Sequence, residues 1–196
     1  MTVLLIAGSP SDRSRTAALL DAVGQRLKFR GAQTKTLRIR DLPPQALLLA
    51  DFGNPALVSA TAQVAQADVI VVATPVYKAA YSGVLKVFLD VLPQTALKGK
   101  TVLPLATGGS PNHMLALDYA LRPVLQSLGA KTILPGIYAT DAQVVLNPEG
   151  SYHVEEDISQ RLDEAVNVLV TEHLQFGLSN AGRFESVPFS QVRCSV

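Results

Sequence analysis

The chain has no tryptophan and one cysteine, and Asp, Glu, Lys and Arg together make up only 17% of its 196 residues. A lone Cys194 closes no internal disulfide and builds no thiolate metal cluster. Positive charge is equally sparse. The formal net charge is +1, and no basic run supplies the electrostatic footprint of a nucleic-acid binder. No apolar stretch approaches the roughly 20 residues of a membrane-spanning helix. The opening run Met1–Gly8 is apolar, but it has no basic leader and runs into a Gly-Ser loop, unlike a secretory signal. The expectation is a cytoplasmic protein that meets neither nucleic acid nor membrane.

Apolar residues, by contrast, make up 48% of the chain, enough for one α/β core with a surplus for contacts between subunits. Short, nearly continuous apolar runs predict strands at Thr2–Ala7, Asp68–Ala73, Lys100–Ala106 and Thr132–Tyr138, the last with Pro135-Gly136 placed to interrupt it, and the less apolar Thr34–Ile39 reads as a further strand. Between them lie helical patterns. Leu19, Leu20, Val23 and Leu27 recur at spacings of three and four before Gly31. Asn54-Pro55 opens a helix to about Gln66, and Ser82 caps another to Leu92. Met114–Leu128 and Val154–Leu174 complete the set, with Gln45–Asp51 a short helical turn or loop. Five βα units in alternation predict an open five-stranded parallel sheet with helices on both faces. Residues 1–176 form the domain and 177–196 a tail, flexible or packed on a neighbouring subunit.

In such a sheet, ligands bind beyond the carboxyl ends of the strands, where the strand order reverses. With strand order 2-1-3-4-5, the loops after strands one, three and four lie side by side. The first carries Ser9, Ser11, Ser14 and Thr16 and opens a helix, whose free amides and partial positive charge suit a phosphate. Arg13 and Arg15 add charge there, although Ser14 also serves as a plain helix cap between solvated arginines. The spacing matches neither a Walker A loop nor a dinucleotide fingerprint. The second loop, Thr74–Gly83, offers Tyr77 and Tyr81, either as faces for a planar ring or as cover for the core. Lys78 is there either a surface charge or an anion contact. The third contains Gly108-Gly109, a turn or a close approach to a flat ligand. Together the loops suit a phosphorylated planar ligand such as flavin mononucleotide. His113 has Asp118 and Asp90 as conceivable partners, but no His-Asp-Ser order or metal-ligand spacing accompanies it, and it reads as a histidine at a helix start.

Three segments carry a family resemblance: 73–86 (Ala-Thr-Pro-Val-Tyr-Lys-Ala-Ala-Tyr-Ser-Gly-Val-Leu-Lys), 103–109 (Leu-Pro-Leu-Ala-Thr-Gly-Gly) and 117–125 (Leu-Asp-Tyr-Ala-Leu-Arg-Pro-Val-Leu). The chain resembles the NADPH-dependent FMN reductases of the flavodoxin-like superfamily from Val3 to about Gln143. Within these it is most similar to the reductase component of two-component alkanesulfonate monooxygenase systems. The resemblance implies a flavodoxin-like three-layer sandwich. It assigns Gly8-Ser9, Ser14 and Thr16 to the FMN phosphate, with Arg15 compensating charge where Ser11 replaces the arginine of many members. Pro75, Val76, Tyr77, Lys78, Tyr81, Ser82 and Gly83 are assigned to the loop at the isoalloxazine ring. Lys78 stands there for the usual asparagine, and Ala80 and Ser82 for serine and proline. Thr107, Gly108 and Gly109 are assigned near the pyrimidine end.

The resemblance further implies FMN as an exchangeable substrate, NADPH as hydride donor and a flavin-dependent monooxygenase as recipient of reduced FMN. No side chain is needed as acid or base, because the cofactors carry the chemistry. At 100° per residue, Leu115, Tyr119 and Arg122 fall opposite the apolar face of Leu117, Leu121, Val124 and Leu128. The resembling reductases are tetramers in which a tyrosine inserted here widens one turn into a π-bulge, which implies that Tyr119 lies at a subunit interface in a homotetramer or homodimer. Two other readings compete. One is a reductase with tightly bound FMN acting on quinones, azo compounds or metal ions. The other is an electron carrier or phospho-receiver; a receiver's acidic cluster is missing after strands one and three, and a carrier's strong acidity is missing overall.

Overall fold

Strand β1 (Thr2–Ala7) is buried on both faces, and its alternation decides the architecture. Leu4 and Ile6 point into one apolar core and Val3 and Leu5 into another, as period-two geometry requires of a strand between two layers. The computed structural model describes residues 1–178. In chain order the further elements are α1 (Arg15–Phe29), β2 (Gln33–Arg38), α2 (Pro44–Leu48), α3 (Pro55–Gln66), β3 (Val69–Tyr77), β4 (Ala80–Tyr81), α4 (Gly83–Asp90) and β5 (Thr101–Gly108). They continue with α5 (Arg122–Ser127), β6 (Thr132–Ile133), β7 (Ile137–Thr140), β8 (Val144–Leu146), β9 (Tyr152–Val154) and α6 (Glu156–Leu178).

β1 pairs in parallel with β2 and β3, β3 with β5, and β5 with both β6 and β7. The main sheet runs β2-β1-β3-β5-β6, with β7 continuing alongside β5. The expected order is therefore present, but the sheet has seven strands rather than five. One of the extra strands arises because the last position is split. Pro135 lacks an amide to continue the ladder, so β6 and β7 meet opposite ends of β5. Arg122 closes the gap by donating to the carbonyls of Ile133 (3.1 Å) and Leu134 (3.2 Å), while Asp118 holds its Nε at 2.9 Å. Arg122 is therefore anchored to the sheet, although its position on the helix wheel faces away from the core.

One layer beside the sheet contains α1 and α6, joined by Arg26 to Asp163 at 2.9 Å and to the Ser159 hydroxyl at 2.5 Å. Buried Ile158, Leu162, Val166 and Leu169 repeat at helical spacing along α6 and pack into that core. The other layer holds α3, α4 and α5, with Phe88 fully buried between them and the sheet. A separate antiparallel pair, β8-β9, which the sequence reading does not contain, lies outside the main sheet. The expected tail lies, from residue 179 on, outside the described residues, as does Cys194. No helix among the described residues is long and apolar enough to cross a membrane.

Two segments differ from the expected outline. The helix expected over Met114–Leu128 is two pieces, a π-helical turn at Leu117–Leu121 and α5, with a 3₁₀ turn at Pro111–His113 just ahead of them. The π turn falls on Tyr119, as the family resemblance implies. The loop expected from Thr74 is instead strand, since β3 continues to Tyr77 and folds back as β4, with Val76 facing Tyr81 and Tyr77 facing Ala80. Its two-residue turn is Lys78-Ala79, with φ of 51° and 64°. Positive φ at both central residues is the type I′ hairpin turn, whose twist matches that of the strands and which Asn-Gly satisfies most easily. Lys and Ala lack that ease, and each left-handed residue costs about 1–2 kcal/mol. Replacing Lys78-Ala79 by Asn-Gly is expected to raise unfolding stability by about 1 kcal/mol, read as a higher denaturant midpoint at unchanged slope; an unchanged or lower midpoint counts against a strained turn.

Candidate active site

The ends of β1, β3 and β5 converge on one cleft, and Gly8 is where the first two join. Its amide donates to the Ala73 carbonyl at 2.8 Å and its carbonyl accepts the Ser82 hydroxyl at 2.5 Å. A Cβ at position 8 would stand 2.9 Å from the Ala73 oxygen and 3.1 Å from Leu85 Cβ. Only glycine lets the strand ends come this close. Beyond it, buried Ser9 turns its hydroxyl back to accept the Ser11 amide at 3.2 Å.

Ser14 caps α1, its hydroxyl accepting from the Ala17 amide (3.1 Å) and its carbonyl from the Ala18 amide (3.0 Å). The amides of Arg15 and Thr16, the first two of the helix, have no acceptor among the described residues. Open amides at the positive end of a fifteen-residue helix, with serine hydroxyls nearby, have the chemistry that suits an anion. The buried Thr16 and Thr107 hydroxyls meet at 2.5 Å and fasten this helix start to the end of β5.

The other end of the cleft is apolar and flat. Pro75, Val76 and Tyr77 line it, with Tyr77 49% exposed. Beside them, on the neighbouring strand end, lie Gly108 and Gly109, with Pro75 paired to Thr107 in the ladder. At Gly108 a Cβ would come within 2.5 Å of the Tyr138 oxygen, which donates to the Ser110 carbonyl at 2.6 Å. Burial, and after it the nearby Asp141 carboxylate, pushes the Tyr138 phenol up from its ordinary range.

Ser9, Ser14, Arg15, Thr16, Pro75, Val76, Tyr77, Thr107, Gly108 and Gly109, all expected from sequence, line this cleft of about 290 Å³. Lys78, Tyr81, Ser82 and Gly83, also expected there, are not among its lining residues. Lys78 sits exposed on the hairpin tip. Tyr81 packs against the α3–α5 core, where burial raises its phenol pKa first of all. Ser82 is an internal strut: buried, it caps α4 through the Leu85 amide (3.1 Å) while holding Gly8, and its own amide donates to Thr74 Oγ1 at 2.9 Å. Gly83 follows as the first residue of α4.

The fourth wall is missing from the sequence reading. Asp141 and Leu146 line the cleft, on a stretch between β7 and β9 that carries no motif. The signal is instead in the arginines. Arg13 donates to the carbonyls of Asn147 (2.7 Å) and Pro148 (3.3 Å). Arg15 Nε donates to those of Asp141 and Val144, both at 3.1 Å. The two cations expected to face a phosphate are thus also the ties that hold this wall. His113 lies on the 3₁₀ turn and does not line the cleft.

The amide-and-hydroxyl end has the chemistry a phosphate requires, and the adjoining ends of β3 and β5, with Tyr77 and the Gly108-Gly109 backbone, have the chemistry a planar ring requires. Asp141 is the one carboxylate lining the cleft among the described residues, and no group of three or more potential metal ligands exists among them. Parallel order, helices on both faces and a cleft at the carboxyl ends of the strands define a flavodoxin-like α/β protein. The sequence pattern of the NADPH-dependent FMN reductases matches residues 1–144. The chain is 46% identical over 170 residues to the FMN reductase (NADPH) of Escherichia coli K12, covering 85% of this chain and 86% of that protein. It is 53% identical over 144 residues to the protein of the same name from Pseudomonas putida KT2440, covering 74% and 73%. Among solved structures, the apo form of the NADH:FMN oxidoreductase EMOB superposes with a TM-score of 0.77 at 38% identity, covering 98% of this chain and 96% of that one. The chain belongs to the NADPH-dependent FMN reductase family. It is an oxidoreductase, with FMN and NADPH as its substrates or cofactors.

Ser82→Ala is expected to lower unfolding stability by about 1–3 kcal/mol, because it strands the buried Gly8 carbonyl and uncaps α4. A thermal or denaturant melt reads this directly, and an unchanged melt counts against the strut.

Proposed function

We propose that the protein takes up FMN as a substrate, reduces it with NADPH, and releases reduced FMN to a flavin-dependent monooxygenase of the alkanesulfonate type, in sulfur acquisition in the cytoplasm. The observation that carries this reading is the character of the cleft. It offers hydroxyls and open helix amides at one end, a half-exposed tyrosine and glycine backbone at the other, and one carboxylate. When bound, FMN supplies the redox chemistry by accepting hydride from the nicotinamide. The chain's own part is to orient. The α1 amides and Ser9 and Ser14 hold the phosphate; Pro75, Val76, Tyr77 and the backbone of Thr107, Gly108 and Gly109 position the ring. The monooxygenase partner is proposed from the family resemblance in the three segments quoted above.

The exposed side of the π turn supports self-association. Tyr119 is 79% exposed, and Met114 and Leu115 beside it are exposed as well. Adjacent large apolar side chains at a surface mark a contact site, and a second copy of the chain, in a homodimer or homotetramer, covers them in this reading. Tyr119→Ala is expected to reduce the assembly in sedimentation or light scattering and to slow flavin exchange. Unchanged size together with unchanged exchange sinks the interface.

Mixing the purified protein with NADPH and FMN tests the main reading. The expected outcome is rapid NADPH oxidation by a protein that purifies colourless. A protein that retains yellow flavin and oxidises NADPH only when a quinone is added contradicts it.

A further inference from the structure

We infer that Asp141 weakens the hold of the cleft on phosphorylated flavin by setting a fixed negative charge on the rim of the anion-binding end. The inference rests on the FMN reading above. Asp141 opens the turn after β7, and its amide donates to the Gly108 carbonyl at 3.1 Å, so its place is locked to the end of β5. Its carboxylate reaches toward the helix start, with Oδ1 3.8 Å from Arg15 Nε. Oδ2 lies 3.7 Å from where a Cβ on Gly109 would stand. The side chain is half exposed and lines the cleft together with Ser14, Arg15 and Thr16.

The carboxylate makes no hydrogen bond to the wall it stands on. That wall is held through main-chain carbonyls, by Arg13 at Asn147 and Pro148 and by Arg15 at Asp141 and Val144. The Asp141 side chain accepts no hydrogen bond among the described residues; its one polar contact is the Arg15 pair, at a distance too long for a hydrogen bond. Its charge is nonetheless felt nearby, since it contributes to the rise of the Tyr138 phenol. A charge at the mouth of a site whose one partner is a long, half-exposed ion pair is left free to act also on what enters.

An arriving phosphate therefore meets opposing fields. The Arg15 and Thr16 amides and the serine hydroxyls attract it. The charge of Arg15 is offset by the Asp141 carboxylate beside it, and the guanidinium of Arg13 is engaged by carbonyls. Like charges at this range in a half-exposed site repel appreciably and are screened by salt. A flavin without phosphate does not feel this repulsion. The consequence is a reductase that binds FMN well enough to reduce it and loosely enough to release the product.

The test compares FMN and riboflavin binding, by quenching of flavin fluorescence, to the wild type and to the Asp141→Asn and Asp141→Glu variants. At low ionic strength, Asp141→Asn is expected to bind FMN about tenfold more tightly. Its riboflavin affinity stays within about twofold of wild type, and the FMN difference shrinks in ~0.5 M salt. Asp141→Glu, which keeps the charge, retains the wild-type preference. FMN affinity unchanged in Asp141→Asn overturns the inference, and so does an equal change for both flavins, which marks an altered wall rather than a charge. Binding of FMN by the wild type leaves the FMN reading standing in either case. A wild type that binds neither flavin overturns that reading and this inference together.

Discussion

The two hydrogen bonds of Gly8, from its amide to Ala73 and to its carbonyl from Ser82, set the arrangement from which the carboxyl edge of the sheet is built. They connect the exit of β1, the middle of β3 and the first turn of α4 in one buried knot. The parallel ladder has already brought Ala7 and Ala73 side by side. The absence of a side chain at position 8 allows the loop to stay there instead of bulging outward. From that point the phosphate loop runs to α1 and the hairpin runs to Tyr77. The Thr16–Thr107 hydroxyl contact then joins α1 to β5. Three strand ends are thus set relative to one another by short, mostly buried bonds, and the cleft inherits its shape from them. Pre-set geometry of this kind is what orienting two reactants requires.

Much of this was legible before any coordinates. Strands buried on both faces read as unbroken apolar runs, so Thr2–Ala7 was visible in full, and β3 in its apolar half. Strong caps made Asn54, Ser14 and Ser82 readable as helix starts, and each side chain does accept an amide hydrogen bond from the first turn. Parallel order followed from the alternation of strand and helix, and with it the side-by-side placement of the three loops.

The rest was hidden for identifiable reasons. Thr74–Tyr77 continues β3 because β5 and β4 offer ladder partners, a tertiary fact that local propensity does not contain. Lys78-Ala79 gives no turn signal, since neither residue favours the left-handed backbone it adopts. The π turn leaves the apolar spacing of the 114–128 segment close to helical, so periodicity registered one helix; only the family resemblance pointed to the irregularity. Ser82 showed its cap but not its second bond, because the partner carbonyl lies 74 residues away. Asp141 and Leu146 come from a segment without motif, brought to the cleft by arginines whose acceptors are main-chain atoms.

That last arrangement has an evolutionary corollary. Every residue type carries a carbonyl, so Arg13 grips the β8–β9 turn without demanding any particular side chain at positions 147 or 148, whereas Val144, whose carbonyl Arg15 holds, is fixed by its burial in the core. Point mutations can therefore rewrite the chemical face of that segment while its anchorage persists. The turn at that rim of the pocket is free to diversify among descendants of this scaffold, and the strand ends knotted at a glycine are not.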